Sequence, residues 1–180
     1  MPGTVLLTDR LELRPLSARS IRALMESTDA FTKLFGAPPA DGLRDFVLSD
    51  DVSPEYLARL DSDPAPDPWT HGFALVHRAD QTVVGMAGFK GPPSDDGIVE
   101  LAYGIVPAYQ SKGLATEAAR ALLAFAFNTP GVRLVRAHTL PTANASTRVL
   151  SKCGFEPRGE VIDPEDGRVW RWEKTRDAKQ

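Results

Sequence analysis

The sequence has 180 residues, 42% hydrophobic and 25% charged, with a formal net charge of -3, which predicts one domain over residues 1–180 whose core needs neither a disulfide nor a metal. No apolar run approaches the roughly 20 residues of a membrane span, and 21 Lys and Arg against 24 Asp and Glu exclude the overall basic charge of a nucleic-acid binder. The single cysteine, Cys153, makes no internal bridge, and Asp9, Arg10 and Glu12 stand where an export signal needs apolar residues; a cytoplasmic protein with no nucleic-acid or membrane partner is expected.

In chain order, residues 5–16 alternate Leu11 and Leu13 with Arg10, Glu12 and Arg14, the period-two pattern of one half-buried strand. Ser17 is the expected N-cap of a short helix carrying Ile21, Leu24 and Met25, and a second short helix lies near residues 32–35, closed by Pro38 and Pro39. From 41 to 67 the composition turns acidic: eight Asp and Glu face only Arg44 and Arg59, a local net of -6 that leaves +3 for the rest of the chain. Within it, residues 54–60 read as a helix capped by Ser53 with Pro54 at its first position. Pro64, Pro66 and Pro68 then read as an extended connector.

The middle of the chain reads as an antiparallel meander. Strands are expected at 72–77 and 83–90, joined at the turn 78–81, and after a Gly- and Pro-rich connector at 91–97 a third runs from 98 to 106. Residues 113–128 form the longest apolar-periodic stretch, a helix whose second half (Leu122, Leu123, Phe125, Phe127) is broadly apolar and so lies against a sheet. A strand at 132–140, a helix at 144–153 stopped by Gly154, and two strands at 155–162 and 168–174 complete the order, with a tail frayed from Thr175. The order implies a mixed α/β sheet flanked by helices.

The richest chemistry lies where the third strand of the meander passes into the long helix, Ile105 to Thr116. A loop of small residues opening straight into a helix aims unpaired backbone N–H groups and the positive end of the helix dipole at one point, a place for phosphate. Lys112 adds a point charge there, Thr116 a hydroxyl, and Gly113 lets the backbone come close; an ordinary glycine turn is the alternative. The run Gln110-x-x-Gly113-x-Ala115 resembles the pyrophosphate signature Gln/Arg-x-x-Gly-x-Gly/Ala of the GNAT superfamily of acyl-CoA-dependent N-acyltransferases. Its setting supports the likeness: it follows the strand ending Glu100-Leu101-Ala102-Tyr103-Gly104-Ile105-Val106-Pro107 and precedes Asn144-Ala145-Ser146-Thr147-Arg148-Val149-Leu150-Ser151-Lys152-Cys153-Gly154-Phe155. The opening Leu7-Thr8-Asp9-Arg10-Leu11-Glu12-Leu13-Arg14-Pro15 resembles the branch containing the ribosomal-protein N-terminal acetyltransferases.

The resemblance implies an α/β (α+β) GNAT fold: a mixed, mostly antiparallel sheet of seven strands with its central strands splayed. It implies acetyl-CoA as acyl donor and sole cofactor, no metal, and an amine acceptor that is a small molecule or a protein N-terminus; monomer and homodimer both stay open. By position, the backbone of Ser111, Lys112, Gly113, Leu114, Ala115 and Thr116, with Gln110, would hold the pyrophosphate. Ile105 and Val106 would pair with the pantetheine arm, a ligand adding itself as a strand, and the N–H near Val106 would polarise the thioester carbonyl. Asn144, with Ser146 nearby, would bond the same arm, although Asn before a helix is also a good N-cap.

Glu100 is the candidate general base, since an alkylammonium must lose a proton before it attacks a thioester; a solvated strand residue is the alternative. Relatives often carry on the helix after the slot a tyrosine that protonates the leaving thiolate, and Leu150 stands at that position, so no general acid is assigned. Structural roles are expected for Tyr103 and Tyr109, for the core-spaced Cys153, and for Trp170 and Trp172 on one face of the last strand. His71, His77 and His138 show no metal-ligand spacing. Two other classes remain: a catalytically inactive acyl-CoA-binding sensor, and a partner-binding module that uses only the fold. If the acidic segment borders the acceptor side of the slot, it should favour cationic amines.

Overall fold

In the computed structural model, residues 3–49, 54–60 and 65–178 are described. Expectations that fall on Asp50, Asp51, Ser53, Asp61, Asp63 and Pro64 lie outside these residues.

The N-terminal stretch is two strands rather than one. Thr8 accepts the N–H of Leu11 on its Oγ1 at 2.9 Å and donates its own N–H to the Leu11 carbonyl at 2.9 Å. This turn folds β1 (Leu6–Leu7) back onto β2 (Leu11–Pro15), with Leu6 opposite Leu13. Alternation alone does not reveal such a reversal, because both arms keep the same parity. The sheet therefore has eight strands, not seven.

Two helices follow. Helix α1 (Ala18–Glu26) opens on a capping box between Ser17 and Ser20, and α2 (Thr28–Phe35) is capped by Ser27 and ended by Gly36 at φ +87°. A short helix that the sequence pattern did not announce, α3 (Asp45–Leu48), is tied down by Arg44. The Arg44 guanidinium donates to the carbonyls of Leu24, Met25 and Glu26 at 2.6–2.9 Å, serving the orphan carbonyls at the end of α1. Helix α4 (Pro54–Leu60) follows.

The meander is as expected: β3 (Phe73–His77), β4 (Thr82–Phe89) and β5 (Ile98–Ile105), each antiparallel to the last. A 3₁₀ turn at Pro107–Tyr109 leads to α5 (Leu114–Asn128). After it come β6 (Leu134–Thr139), α6 (Ala145–Lys152), β7 (Glu156–Asp163) and β8 (Gly167–Thr175). The strand order is β1-β2-β3-β4-β5-β6-β8-β7; among these strands β5 and β6 pair in parallel, and an isolated parallel bridge joins Pro39 to Val83. The chain stays attached past Thr175, as the Arg176 N–H donates to the Arg133 carbonyl at 3.0 Å. Among the described residues no helix is long and apolar enough to cross a membrane.

Helix α5 buries Leu114, Ala118, Ala119, Leu122 and Ala126 and packs on β5, β2 and β4. Its Phe125 also meets Trp69 at 5.1 Å and Phe73 at 5.7 Å, while Trp69 meets Phe89 at 4.7 Å. This aromatic cluster fixes the segment entering β3, and so the position of His71 and Gly72 beside β4. Glycines on the central strands let neighbours come close. A Cβ on Gly85 would strike the Gly104 carbonyl oxygen and meet Ile105 Cδ1 at 2.9 Å, and one on Gly88 would meet the Gly72 Cα at 2.7 Å. Gly85→Ala is therefore expected to cost about 1–3 kcal/mol of stability by overpacking, read as a lower urea midpoint; a parental midpoint would mean that the β4–β5 spacing yields freely.

Candidate active site

Strands β5 and β6 pair over Ile98, Val99 and Glu100 beside Leu134, Val135 and Arg136, and then part. Beyond the fork each stays with its outer neighbour, β5 with β4 and β6 with β8. The Lys90 N–H donates to the Glu100 carbonyl and the Val106 N–H to the Val84 carbonyl, both at 2.9 Å. Antiparallel alternation then turns the backbone groups of Glu100, Ala102, Gly104 and Val106 toward β4, and those of Leu101, Tyr103 and Ile105 toward the slot. Ile105 offers its carbonyl to Gln110 Nε2 at 2.9 Å. Val106 is a correction: its N–H is spent on β4, so it does not polarise a carbonyl in the slot.

Two cavities meet at the fork. The smaller, about 210 Å³, lies in the splay and is lined by Glu100, Tyr103, His138, Ser146 and Leu150 among others. The larger, about 770 Å³, lies between the sheet and α3, lined by Phe46, His71, Phe73 and Gly104 with Asp45, Glu165 and Asp166. Lys90, Ala102, Tyr103 and Asp166 border both. Phe46 reaches Gly104 so closely that a Cβ there would stand 3.3 Å from its ring.

Glu100 lines the smaller cavity, beside Lys90, which borders both. Its Oε1 faces His138 Nδ1 at 2.9 Å and Lys90 Nζ at 3.2 Å. Burial works to lower the Lys90 ammonium, but the charge and hydrogen bond of Glu100 and the charges of Asp166 and Asp163 outweigh it, and the ammonium is held above its ordinary value. The hairpin tip between β7 and β8 closes this side, with Asp163 Oδ1 accepting the N–H groups of Glu165 at 2.8 Å and Asp166 at 3.0 Å. Of the acidic segment 41–67, Asp45 reaches the larger cavity.

The loop before α5 bends through two left-handed residues, Ser111 at φ +61° and Gly113 at +80°. That conformation costs a residue with a side chain on the order of 1 kcal/mol, so its presence at Ser111 points to a purpose. Gly113 is the N-cap and no side chain caps the helix, which leaves the first-turn N–H groups of Leu114, Ala115 and Thr116 without helical partners. The Leu114 side chain is buried in the core and Thr116 is 8% exposed, so both offer backbone rather than side chain. Lys112 is exposed, its Nζ 5.2 Å from the Tyr109 ring centre. Gln110 staples the loop to the end of β5.

Across the slot, Asn144 forms a capping box with Thr147: its Oδ1 accepts the Thr147 N–H and its own N–H donates to Thr147 Oγ1, both at 3.0 Å. The Tyr103 hydroxyl donates to the Ser146 carbonyl at 3.3 Å, and burial pushes the phenol up to about 12, so it keeps its proton at neutral pH. Cys153 is buried and its thiol is pushed up by burial, against smaller pulls from Arg120 and Lys174. That is the behaviour of a core residue, not of a nucleophile. Trp172 is buried and donates from Nε1 to Thr139 Oγ1 at 3.1 Å. Among the described residues no cluster of His, Cys, Asp and Glu is arranged to hold a metal.

Two groupings escaped the sequence reading. One is the contact of His138 with Glu100, since the histidines were weighed only as metal ligands; the readable signal was their shared parity on neighbouring slot strands. The other is a strap on the loop before α5. Glu117 of α5 accepts from Thr8 Oγ1, from the Arg10 N–H at 2.7 Å and from Arg10 Nε at 2.8 Å, and Arg10 Nη1 donates to the Lys112 carbonyl at 2.7 Å. No local pattern links residues more than a hundred positions apart.

Residues 10–156 match the family model described as an acetyltransferase (GNAT) domain. The chain is 24% identical over 157 residues to the uncharacterized N-acetyltransferase YoaA of Bacillus subtilis (strain 168), covering 86% of this chain and 84% of that protein. In fold it resembles a GNAT-family acetyltransferase from Bacillus anthracis (TM-score 0.62, 19% identity, 96% of this chain and 98% of that one). It also resembles a ribosomal L7/L12 alpha-N-protein acetyltransferase solved in complex with coenzyme A (TM-score 0.65, 14% identity, 97% and 99%).

The strap has a pH signature. Burial works to raise the Glu117 carboxyl, but the hydrogen bonds from Thr8 and Arg10 and the Arg10 charge together hold it below the ordinary carboxylate value. A carboxyl so lowered gives its stability in full above the unfolded-chain value and loses it as pH falls through the folded one. Glu117→Gln should cost on the order of 1 kcal/mol at pH 7, a gap that closes only as the pH falls well below about 4. Urea melts at the two pH values check this, and a gap independent of pH would show that the charge is not what holds the strap.

Proposed function

The chain belongs to the GNAT acetyltransferase family, and on that premise we propose that it transfers an acetyl group from acetyl-CoA to a primary amine by direct attack in a ternary complex. The observation that carries the reading is the fork: a slot edge leads from an uncapped loop with left-handed residues at 111 and 113 to the Glu100 carboxylate, which lines the smaller cavity beside Lys90 at the border of the larger. The backbone of Ser111, Lys112, Gly113, Leu114, Ala115 and Thr116 holds the pyrophosphate, with Gln110 bracing the loop. Pantetheine lies along the Tyr103 and Ile105 edge, and Asn144 serves it through Nδ2, its Oδ1 being engaged in the helix cap; Ser146 stands beside it.

The amine enters from the larger cavity. Glu100 takes one proton from the ammonium, the free amine attacks the thioester carbon, the C–N bond forms and the C–S bond breaks. The second nitrogen-bound proton ends on the departing thiolate. Holding both partners in this geometry supplies much of the rate. The acidic side chains Asp45, Glu165 and Asp166 on the larger cavity favour a cationic acceptor, the preference expected of the acidic segment.

A second reading, a non-catalytic acyl-CoA sensor, is favoured by Leu150, which lines the smaller cavity where relatives place a tyrosine. An amine screen with acetyl-CoA, followed by thiol release, separates the two: the sensor binds coenzyme and releases none.

Acetyl-CoA is expected to raise the melting temperature, since a ligand of the native state stabilises by mass action. Gly113→Glu removes that shift by filling and charging the loop, and equal shifts in parent and variant would sink the coenzyme assignment. Glu100→Gln should lower turnover by about 10²- to 10⁴-fold, most at lower pH, with coenzyme affinity nearly intact. Unchanged rates from pH 6 to 9 would show that another group takes the proton.

A further inference from the structure

Glu100 is not held by a cation alone. His138, 7% exposed at its side chain, stands on β6 with Nδ1 2.9 Å from Glu100 Oε1. Directly across the β6–β8 ladder is Arg171, whose Nε lies 3.2 Å from His138 Nε2. The chemistry of these two contacts allows one assignment. A guanidinium only donates, so His138 Nε2 must accept and carries no proton. A carboxylate only accepts, so Nδ1 must carry the proton and donate it to Glu100. The imidazole is thereby neutral, in its Nδ1–H form.

We propose that His138 and Arg171 are positioning residues for Glu100: Arg171 fixes the tautomer of His138, and His138 orients the carboxylate with a neutral donor in place of a second cation. The inference rests on the reading of Glu100 as the base. Its purpose is electrostatic. Lys90 already faces Glu100 Oε1 at 3.2 Å; an imidazolium beside it would stabilise the carboxylate further and weaken it as a proton acceptor. A proton added at His138 Nε2 would meet the Arg171 guanidinium head-on, so the arginine resists that state.

The charges around the imidazole are accounted for element by element. Lys90 follows β4 and Glu100 lies on β5, while Asp163 and Asp166 come from the β7–β8 tip, where both carboxylates bear on Lys90. Arg171 comes from β8. The next pair along the same face has Arg136 Nε and Nη2 donating to Glu173 Oε1 at 3.1 and 2.9 Å, and Arg158 Nε stands 3.4 Å from Glu173 Oε2, so both of these arginines are engaged by Glu173. Arg171 is thus the cation presented to Nε2.

Two measurements on the full chain test this. With three histidines in the sequence, nitrogen-15 NMR of the imidazoles, assigned with His138→Gln, is expected to show His138 neutral and protonated on Nδ1 at pH 7. Kinetically, Arg171→Met should move the acid limb of kcat/KM upward by roughly one pH unit while leaving acetyl-CoA affinity as in the parent. His138→Gln, whose amide still donates to Glu100, should keep most of kcat, and His138→Phe should not. A His138 signal with the proton on Nε2, or a parental pH profile in Arg171→Met alongside a slowed Glu100→Gln, overturns the positioning role alone. A full-rate Glu100→Gln overturns the base itself, and the positioning role with it.

Discussion

The parting of β5 from β6 is the constraint on which the rest of the molecule turns. Two parallel strands would ordinarily pair along their whole length, because each buried backbone N–H and C=O left unpaired is costly. Here pairing stops at Glu100 and Arg136 while each strand stays with its outer neighbour: β4 follows β5 to Ile105, and β8 follows β6 to Thr139. Tyr103, reaching across to the Ser146 carbonyl of α6, occupies the space between. The open edge is a standing demand for hydrogen-bond partners, which, on the proposed reading, an amide-bearing ligand arm meets as an added strand would.

That demand explains features that look unrelated. The glycines at 85, 88 and 104 thin the sheet so that backbone can approach backbone and Phe46 can lie against β5, making a wall close to the fork. On the proposed reading the loop at 111–113 must keep its shape when empty, and the Arg10–Glu117 strap and the Gln110 staple hold it from two sides. A rigid nest loses less freedom on binding than a flexible one. The strap also ties the first strands of the fold to the helix that carries the nest, so the N-terminal hairpin takes part in shaping the site.

How much of this was readable follows from the range of each interaction. Ser17, Gly113 and the long helix are local chemistry, and pattern reading placed them. The break at Thr8 is a local turn that keeps the parity of its two arms, and the short α3 and the role of Arg44 depend on tertiary partners; none leaves a periodic trace. Val106 shows the limit well: its strand was placed, but which way its N–H points depends on the pairing of Lys90 with Glu100, a register that only the assembled sheet defines. The same holds for His138, whose meaning appears only when β6 is set beside β5 and β8. Asn144 was readable both as cap and as ligand, and the cap is the half that local structure supplies.

On the proposed reading, the two ends of the slot are unequally equipped, and the chemistry accounts for it. An alkylamine with an ordinary value near 10.4 is almost wholly protonated at pH 7, whereas a thiol near 8.5 leaves readily as thiolate. The harder proton is the one to be removed. Around Glu100 the protein gathers Lys90 and His138, with Arg171 behind them. On the leaving-group side stands Leu150, and the nearby Tyr103 phenol, at about 12, is a weaker acid than the thiol it would have to protonate. Transfer from it to a thiolate of ordinary value would run uphill by a factor of roughly 10³ to 10⁴. The apolar side chain at position 150 is therefore compatible with turnover, and the barrier that the fold is built to lower is the loss of the ammonium proton.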